Sequence, residues 1–139
     1  ALSLHAPEDS LRSELMPVNE RYPLSEVLAA CERYHRSRRR MVFVEYVMLA
    51  GVNDGGLQAR QLAELLDPRV YKVNLIPYNP TGGDFEGSGC DAIEAFRAAL
   101  QARGLRATVR LTRGRDIDAA CGQLAASRAG TGQPSEVSA

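Results

Sequence analysis

A parallel α/β sheet flanked by helices is the fold class this sequence predicts. Three observations carry the expectation. Strand-like and helix-like segments alternate along the chain, four of the first and three of the second. The strand-like segments are short and rich in β-branched and aromatic residues. The helix-like segments each carry one apolar face at the 3.6-residue period.

The first strand is expected over Ala1–Ala6, where Leu2-Ser3-Leu4-His5 alternates apolar and polar side chains. A loop rich in charged and turn-forming residues follows, down to Met16-Pro17-Val18-Asn19. Pro23 opens a helix, at a position where its missing N–H costs little. Leu24, Val27, Leu28, Cys31 and Tyr34 then form one apolar face, on which Cys31 reads as core packing.

Met41–Leu49 is the clearest strand, apolar enough to be covered on both sides, with Glu45 interrupting the run and requiring a partner. Asn53-Asp54-Gly55-Gly56 is a turn, and Leu57–Leu66 a helix. Val70–Ile76 is a strand closed by Pro77-Tyr78-Asn79-Pro80. A glycine-rich loop, Thr81–Gly89, leads to a helix with Ile93, Phe96 and Leu100 inward, ended by Gly104. Leu105–Leu111 is the fourth strand. Residues 1–126 form one domain, and 127–139 read as a disordered tail of small and polar residues, most clearly Gly130–Ala139.

Composition excludes several classes. With 17 basic and 17 acidic residues the chain is formally neutral, unlike a protein that coats nucleic acid. Arg36, Arg38, Arg39 and Arg40 nevertheless form a dense run. It reads first as a solvated helix end, where cations suit the dipole, and otherwise as a contact for RNA phosphates. No apolar run approaches the roughly 20 residues of a membrane span. The three cysteines, Cys31, Cys90 and Cys121, contain no CxxC pair and so encode neither a zinc ribbon nor an iron–sulfur site. An odd count without a secretory signal points to a reducing, cytoplasmic location.

Right-handed crossovers place all four strands in one sheet or barrel wall, and site residues in such folds gather at the C-terminal strand ends. His5, Asn79 and the segment after Leu111 are therefore expected on one rim. That segment contains Asp116-Ile117-Asp118-Ala119-Ala120-Cys121-Gly122-Gln123-Leu124. Alone, Cys121 reads as a small buried hydrophobe. The upstream Thr112-Arg113-Gly114-Arg115 brings cations that favour a thiolate. The Gly82-Gly83 and Gly87 loop lacks the lysine and hydroxyl residue of a phosphate-binding loop.

Seven stretches carry a resemblance, in order from residue 3 to residue 124. They are Ser3-Leu4-His5-Ala6-Pro7, Met16-Pro17-Val18-Asn19, Val44-Glu45-Tyr46-Val47-Met48-Leu49, Val52-Asn53-Asp54, Asn74-Leu75-Ile76-Pro77-Tyr78-Asn79-Pro80, Thr112-Arg113-Gly114 and Asp116–Leu124. The chain resembles the C-terminal half of a radical S-adenosylmethionine RNA methyltransferase of the adenine-methylating family. The resemblance implies the C-terminal part of a partial six-fold βα barrel. It implies methylation of adenine carbon 2 in 23S rRNA and tRNA through a methylcysteine: Cys121 is methylated, loses a hydrogen to a 5′-deoxyadenosyl radical, and adds its carbon to the base.

By position, Ser3, Leu4, His5 and Asn79 match residues that bind S-adenosylmethionine, and Cys121 matches the methyl carrier. The family's 4Fe-4S cluster ligands in a CxxxCxxC motif, its resolving cysteine and its RNA-binding domain have no counterpart here. The chain therefore reads as a fragment, inactive alone, with no metal ligands of its own. The resemblance further implies 23S rRNA, tRNA and a flavodoxin-like reductant as partners. Two alternatives stand beside this reading: the related carbon-8 methyltransferases, and a non-catalytic α/β binding module.

Overall fold

In the computed structural model, residues 1–80 and 82–110 are described. Four strands form one parallel sheet in sequential order: β1 (Leu2–Ser3), β2 (Val42–Met48), β3 (Tyr71–Pro77) and β4 (Arg106–Val109). Between them run α1 (Asp9–Leu15), a 3-10 turn at Pro17–Glu20, α2 (Leu24–Arg38), α3 (Gly56–Leu65) and α4 (Cys90–Ala102).

The α/β expectation holds, and the burial pattern gives it a direction. Along β2, Val42, Val44, Tyr46 and Met48 are buried while Phe43 is half exposed at 49%. β3 alternates in the same way. The buried face packs against Leu24 and Leu28 of α2, Ala59 and Leu62 of α3, and Ile93, Phe96 and Leu100 of α4. Tyr46 and Phe96 meet with ring centroids 5.2 Å apart. The helices thus cover one face of a sequentially ordered sheet, which is barrel-wall geometry and not a doubly wound sheet.

Four expectations need correction. Among the described residues, helices cover β2 on one side only, because its outward set (Phe43, Glu45, Val47) lies on the face opposite them. The first strand ends at Ser3, not Ala6: Leu4 N–H still bonds the Glu45 carbonyl at 2.9 Å, but His5 has φ 62, a left-handed conformation no strand continues. The presumed loop before Asn19 contains α1 and the 3-10 turn; its single buried residue in α1 is Arg12, so no apolar period betrays it. Tyr34 is 47% exposed, outside the apolar face of α2, whereas Cys31 does pack against the core.

The end of α2 is also informative. Arg39 caps it with φ 57 and ψ 33, where glycine is usual; a non-glycine residue there costs about 1 kcal/mol. The His35 ring nitrogen Nδ1 lies 2.9 Å from the Arg40 carbonyl, tying the chain after the cap back to the last turn. At the end of α4, Gly104 takes φ 89 without that cost.

A candidate active-site rim at the C-terminal strand ends

All four strands point the same way, so Ser3–His5, Met48–Leu49, Pro77–Asn79 and Arg110 share one edge of the sheet. His5 sits on that rim in the left-handed conformation, with its ring held by a backbone N–H. Its Nδ1 accepts the Val47 N–H at 3.0 Å, so the ring proton sits on Nε2. Burial lowers the His5 pKa, the Arg12 charge lowers it further, and Glu45 opposes both. The imidazole is therefore neutral and offers Nε2–H as a donor.

Two buried polar side chains hold this turn. Asn53 is 0% exposed, and each of its polar groups is used. Its Nδ2 donates to the His5 carbonyl at 2.8 Å and the Val47 carbonyl at 2.7 Å, and its Oδ1 accepts Leu49 N–H at 2.8 Å. The Asn53 carbonyl accepts the Tyr46 hydroxyl at 2.7 Å. Asn53 thus stitches the ends of β1 and β2 together.

Arg12 holds the other side. Its guanidinium donates to the Ser3 carbonyl at 2.9 Å, the Leu4 carbonyl at 3.1 Å and Asn19 Oδ1 at 2.7 Å. Asn19 is fixed in turn by donating to the Asp9 carbonyl and carboxylate and to Ser13 Oγ. The planar fork of arginine matches two successive carbonyls, which the single point charge of lysine cannot do. Arg12 and Asn53 escape sequence reasoning because neither belongs to a chemical motif. Asn19 and Asn53 lie inside matched stretches, which was the available signal.

Ser3 lies on the face away from the helices, in register with Glu45, Asn74 and Thr108 across the sheet. Thr108 Oγ1 donates to Asn74 Oδ1 at 2.7 Å, and Arg110 pairs with Glu45 at 3.6 Å. That ion pair is the partner Glu45 required. The Ser3 hydroxyl makes no hydrogen bond among the described residues. Leu4 sits differently: its side chain is fully buried in the core, and its N–H and carbonyl are both engaged.

Asn79 follows β3 by two residues and is half buried. β2 stands between it and the Ser3–His5 turn, so the two parts of the rim are about 10 Å apart, two inter-strand spacings. The loop from Gly82 to Gly89 folds onto the end of β2. Ala50 N–H bonds the Glu86 carbonyl at 2.8 Å, and Ser88 Oγ donates to Asp54 at 2.7 Å. A Cβ at Gly87 would overlap the Tyr78 carbonyl, so this glycine allows a close backbone approach beside Asn79.

The polar rim, with the Ser3 hydroxyl unpartnered among the described residues and the His5 donor, fits a polar ligand such as S-adenosylmethionine. No group of three or more His, Cys, Asp or Glu side chains converges among the described residues, so they do not fit the role of iron–sulfur ligands. Cys31 lies on α2, and burial pushes its thiol pKa up, away from reactivity. Cys121, with Thr112–Gly114 and Asp116–Leu124, lies outside the described residues, as does the tail 127–139. No described helix is long and apolar enough to cross a membrane.

No protein-family model matches the chain. It is 54% identical over 127 residues to a probable dual-specificity RNA methyltransferase RlmN from Parafrankia sp.. It is 52% identical over 131 residues to the protein of the same description from Frankia alni. The matches cover 91% and 94% of this chain but 33% and 31% of those proteins, so the chain spans about a third of the length of the curated relatives. Among solved structures, a radical SAM methyltransferase from Sphaerobacter thermophilus aligns with TM-score 0.79 and 51% identity, covering 87% of this chain and 36% of that one. A domain of a pyruvate-formate lyase-activating enzyme from Bacteroides vulgatus aligns with TM-score 0.58 at 21% identity over 78% of this chain and 64% of that one, a likeness of fold alone.

Proposed function

Because the chain belongs to the RlmN-type radical S-adenosylmethionine methyltransferases, we propose that it forms the cofactor-facing wall of an enzyme methylating adenine carbon 2 in 23S rRNA and tRNA. The observation that carries this reading is the Ser3–His5 turn, locked by Arg12 and Asn53 on the rim that also bears Asn79. Ser3 Oγ and His5 Nε2–H contribute polar contacts to S-adenosylmethionine, Asn79 a second contact across the rim, and Leu4 the packed backbone between them. Bound there, S-adenosylmethionine supplies the transferred methyl group and, on reductive cleavage, the radical that activates it.

The neutral state of His5 matters to this role. An imidazolium would lose the Val47 N–H bond, because Nδ1 would become a donor facing a donor. Cys121 acts as methyl acceptor and carrier, since a thiolate is a far better nucleophile toward a sulfonium methyl than a serine hydroxyl, and a thioether sulfur stabilises a radical on the attached carbon. The described residues would not ligate a 4Fe-4S cluster; in the intact enzyme such a cluster would supply the reducing electron, received from a flavodoxin-like protein.

The test uses the intact methyltransferase carrying this segment and S-adenosylmethionine labelled in its methyl group. Label is expected on a peptide containing Cys121 and then in adenine, with both lost in Cys121→Ala. Adenine label persisting in that variant refutes the carrier role. Ser3→Ala and Asn79→Ala are each expected to raise the Kd for S-adenosylmethionine about 5- to 30-fold, the loss of one hydrogen bond to a polar ligand. Unchanged affinity in both removes the rim from the site.

A further inference from the structure

The formally neutral chain segregates its charge. Five of the eight residues from Arg33 to Arg40 are arginine and none is acidic. Arg33, Arg36, Arg38, Arg39 and Arg40 are all exposed, and none forms an ion pair among the described residues. By contrast Arg69, Arg97, Arg103 and Arg110 each pair with a carboxylate.

Helix-dipole complementarity accounts for only part of this cluster. It acts within the last turn of α2, which holds Arg36 and Arg38; Arg39 is the cap and Arg40 lies past it. Arg39 moreover stands in the left-handed position that glycine fills best, so an arginine is kept there against a backbone cost. His35 anchors the Arg40 carbonyl, which holds the outer arginines beside the helix end instead of leaving them on a free tail. Exposed Tyr34 lies beside Arg38 and Arg40 in one surface depression.

From this arrangement we infer that the Arg33–Arg40 end of α2 is a docking site for an RNA phosphate backbone. Guanidinium groups pair with phosphate in bidentate fashion, and Tyr34 offers a ring face on which a base can stack. The site lies at the N-terminal edge of the sheet, about 20 Å from the rim along the seven residues of β2. It therefore contributes affinity and orientation to an extended RNA and does not touch the reacting base. The inference rests on the RNA-methyltransferase reading above.

The test measures binding of an unmodified tRNA transcript to the intact methyltransferase across a salt series. Replacing Arg36, Arg38 and Arg40 together by Gln is expected to weaken binding about tenfold and to lower the slope of log K against log salt by about two. Arg97→Gln with Arg103→Gln, which removes paired arginines elsewhere, should leave the slope at the wild-type value. Arg39→Gly should weaken binding while the melting temperature holds or rises, which separates loss of a cation from loss of fold. Wild-type slope and affinity in the triple variant overturn the docking site. So does intact RNA binding combined with slowed reduction by an acidic flavodoxin-type donor, which assigns the patch to a protein partner. Failure of the wild-type enzyme itself to bind tRNA overturns the RNA reading together with the docking site.

Discussion

Replacing Asn53 by Asp tests the rim with almost no change in side-chain volume. The side chain makes three hydrogen bonds: Oδ1 accepts one, and Nδ2 donates two to the carbonyls of His5 and Val47. A carboxylate keeps the bond from Leu49 N–H but turns both donations into oxygen–oxygen repulsion at 2.7–2.8 Å. Losing two bonds and leaving two carbonyls unsatisfied at a buried site costs about 3–5 kcal/mol at neutral pH.

The loss is pH-dependent. A buried carboxyl facing carbonyls has a folded-state pKa above the unfolded value of about 3.9. The protonated acid can donate one bond. The variant is therefore relatively most stable below pH 4 and loses stability as pH rises through the raised folded pKa. Urea denaturation at pH 4.5, 6 and 7.5, referenced to wild type at each pH, measures this. Asn53→Ala provides the comparison without the pH dependence. A destabilisation of Asn53→Asp under about 1 kcal/mol at pH 7.5, or one independent of pH, refutes the account of Asn53 as the stitch between β1 and β2.

Three further outcomes are expected. His5 titrates below the ordinary histidine value because burial and Arg12 disfavour its cation; with the folded pKa depressed, its contribution to stability is present above about pH 6.5 and is lost as pH falls. Titration of its ring proton by NMR checks this, and a value above that of an unfolded peptide contradicts it. Gly87→Ala drives a methyl into the Tyr78 carbonyl and should cost about 1–3 kcal/mol and weaken S-adenosylmethionine binding, whereas Gly83→Ala, in ordinary contact with the Tyr78 hydroxyl, should be tolerated; equal effects in calorimetric melts refute the distinction. Glu45→Gln breaks a pair whose Arg110 side chain is 56% exposed, so stability should fall by less than about 1 kcal/mol, and a loss above 2 kcal/mol in low-salt urea melts would show the pair to be more shielded than its geometry indicates.

The parts legible in the sequence are those governed by local periodicity. The β2 and β3 runs, the apolar faces of α2 and α4, the helix start after Pro23 and the stop at Gly104 each follow from neighbours within a turn or a few strand residues. The sequential parallel order follows from alternation and crossover handedness. The rim positions of His5 and Asn79 follow from that order. Tertiary structure decided what sequence periodicity cannot express. α1 carries an arginine inward, so its burial is driven by hydrogen bonds to Ser3 and Leu4 and leaves no apolar signature. Asn53 reaches a carbonyl 48 residues away, and His5 accepts an N–H 42 residues away. A buried polar group is stable only when its donors and acceptors are met. Those partners are brought within reach only when distant strands pair, and so the sequence named the rim while the fold supplied the groups that hold it.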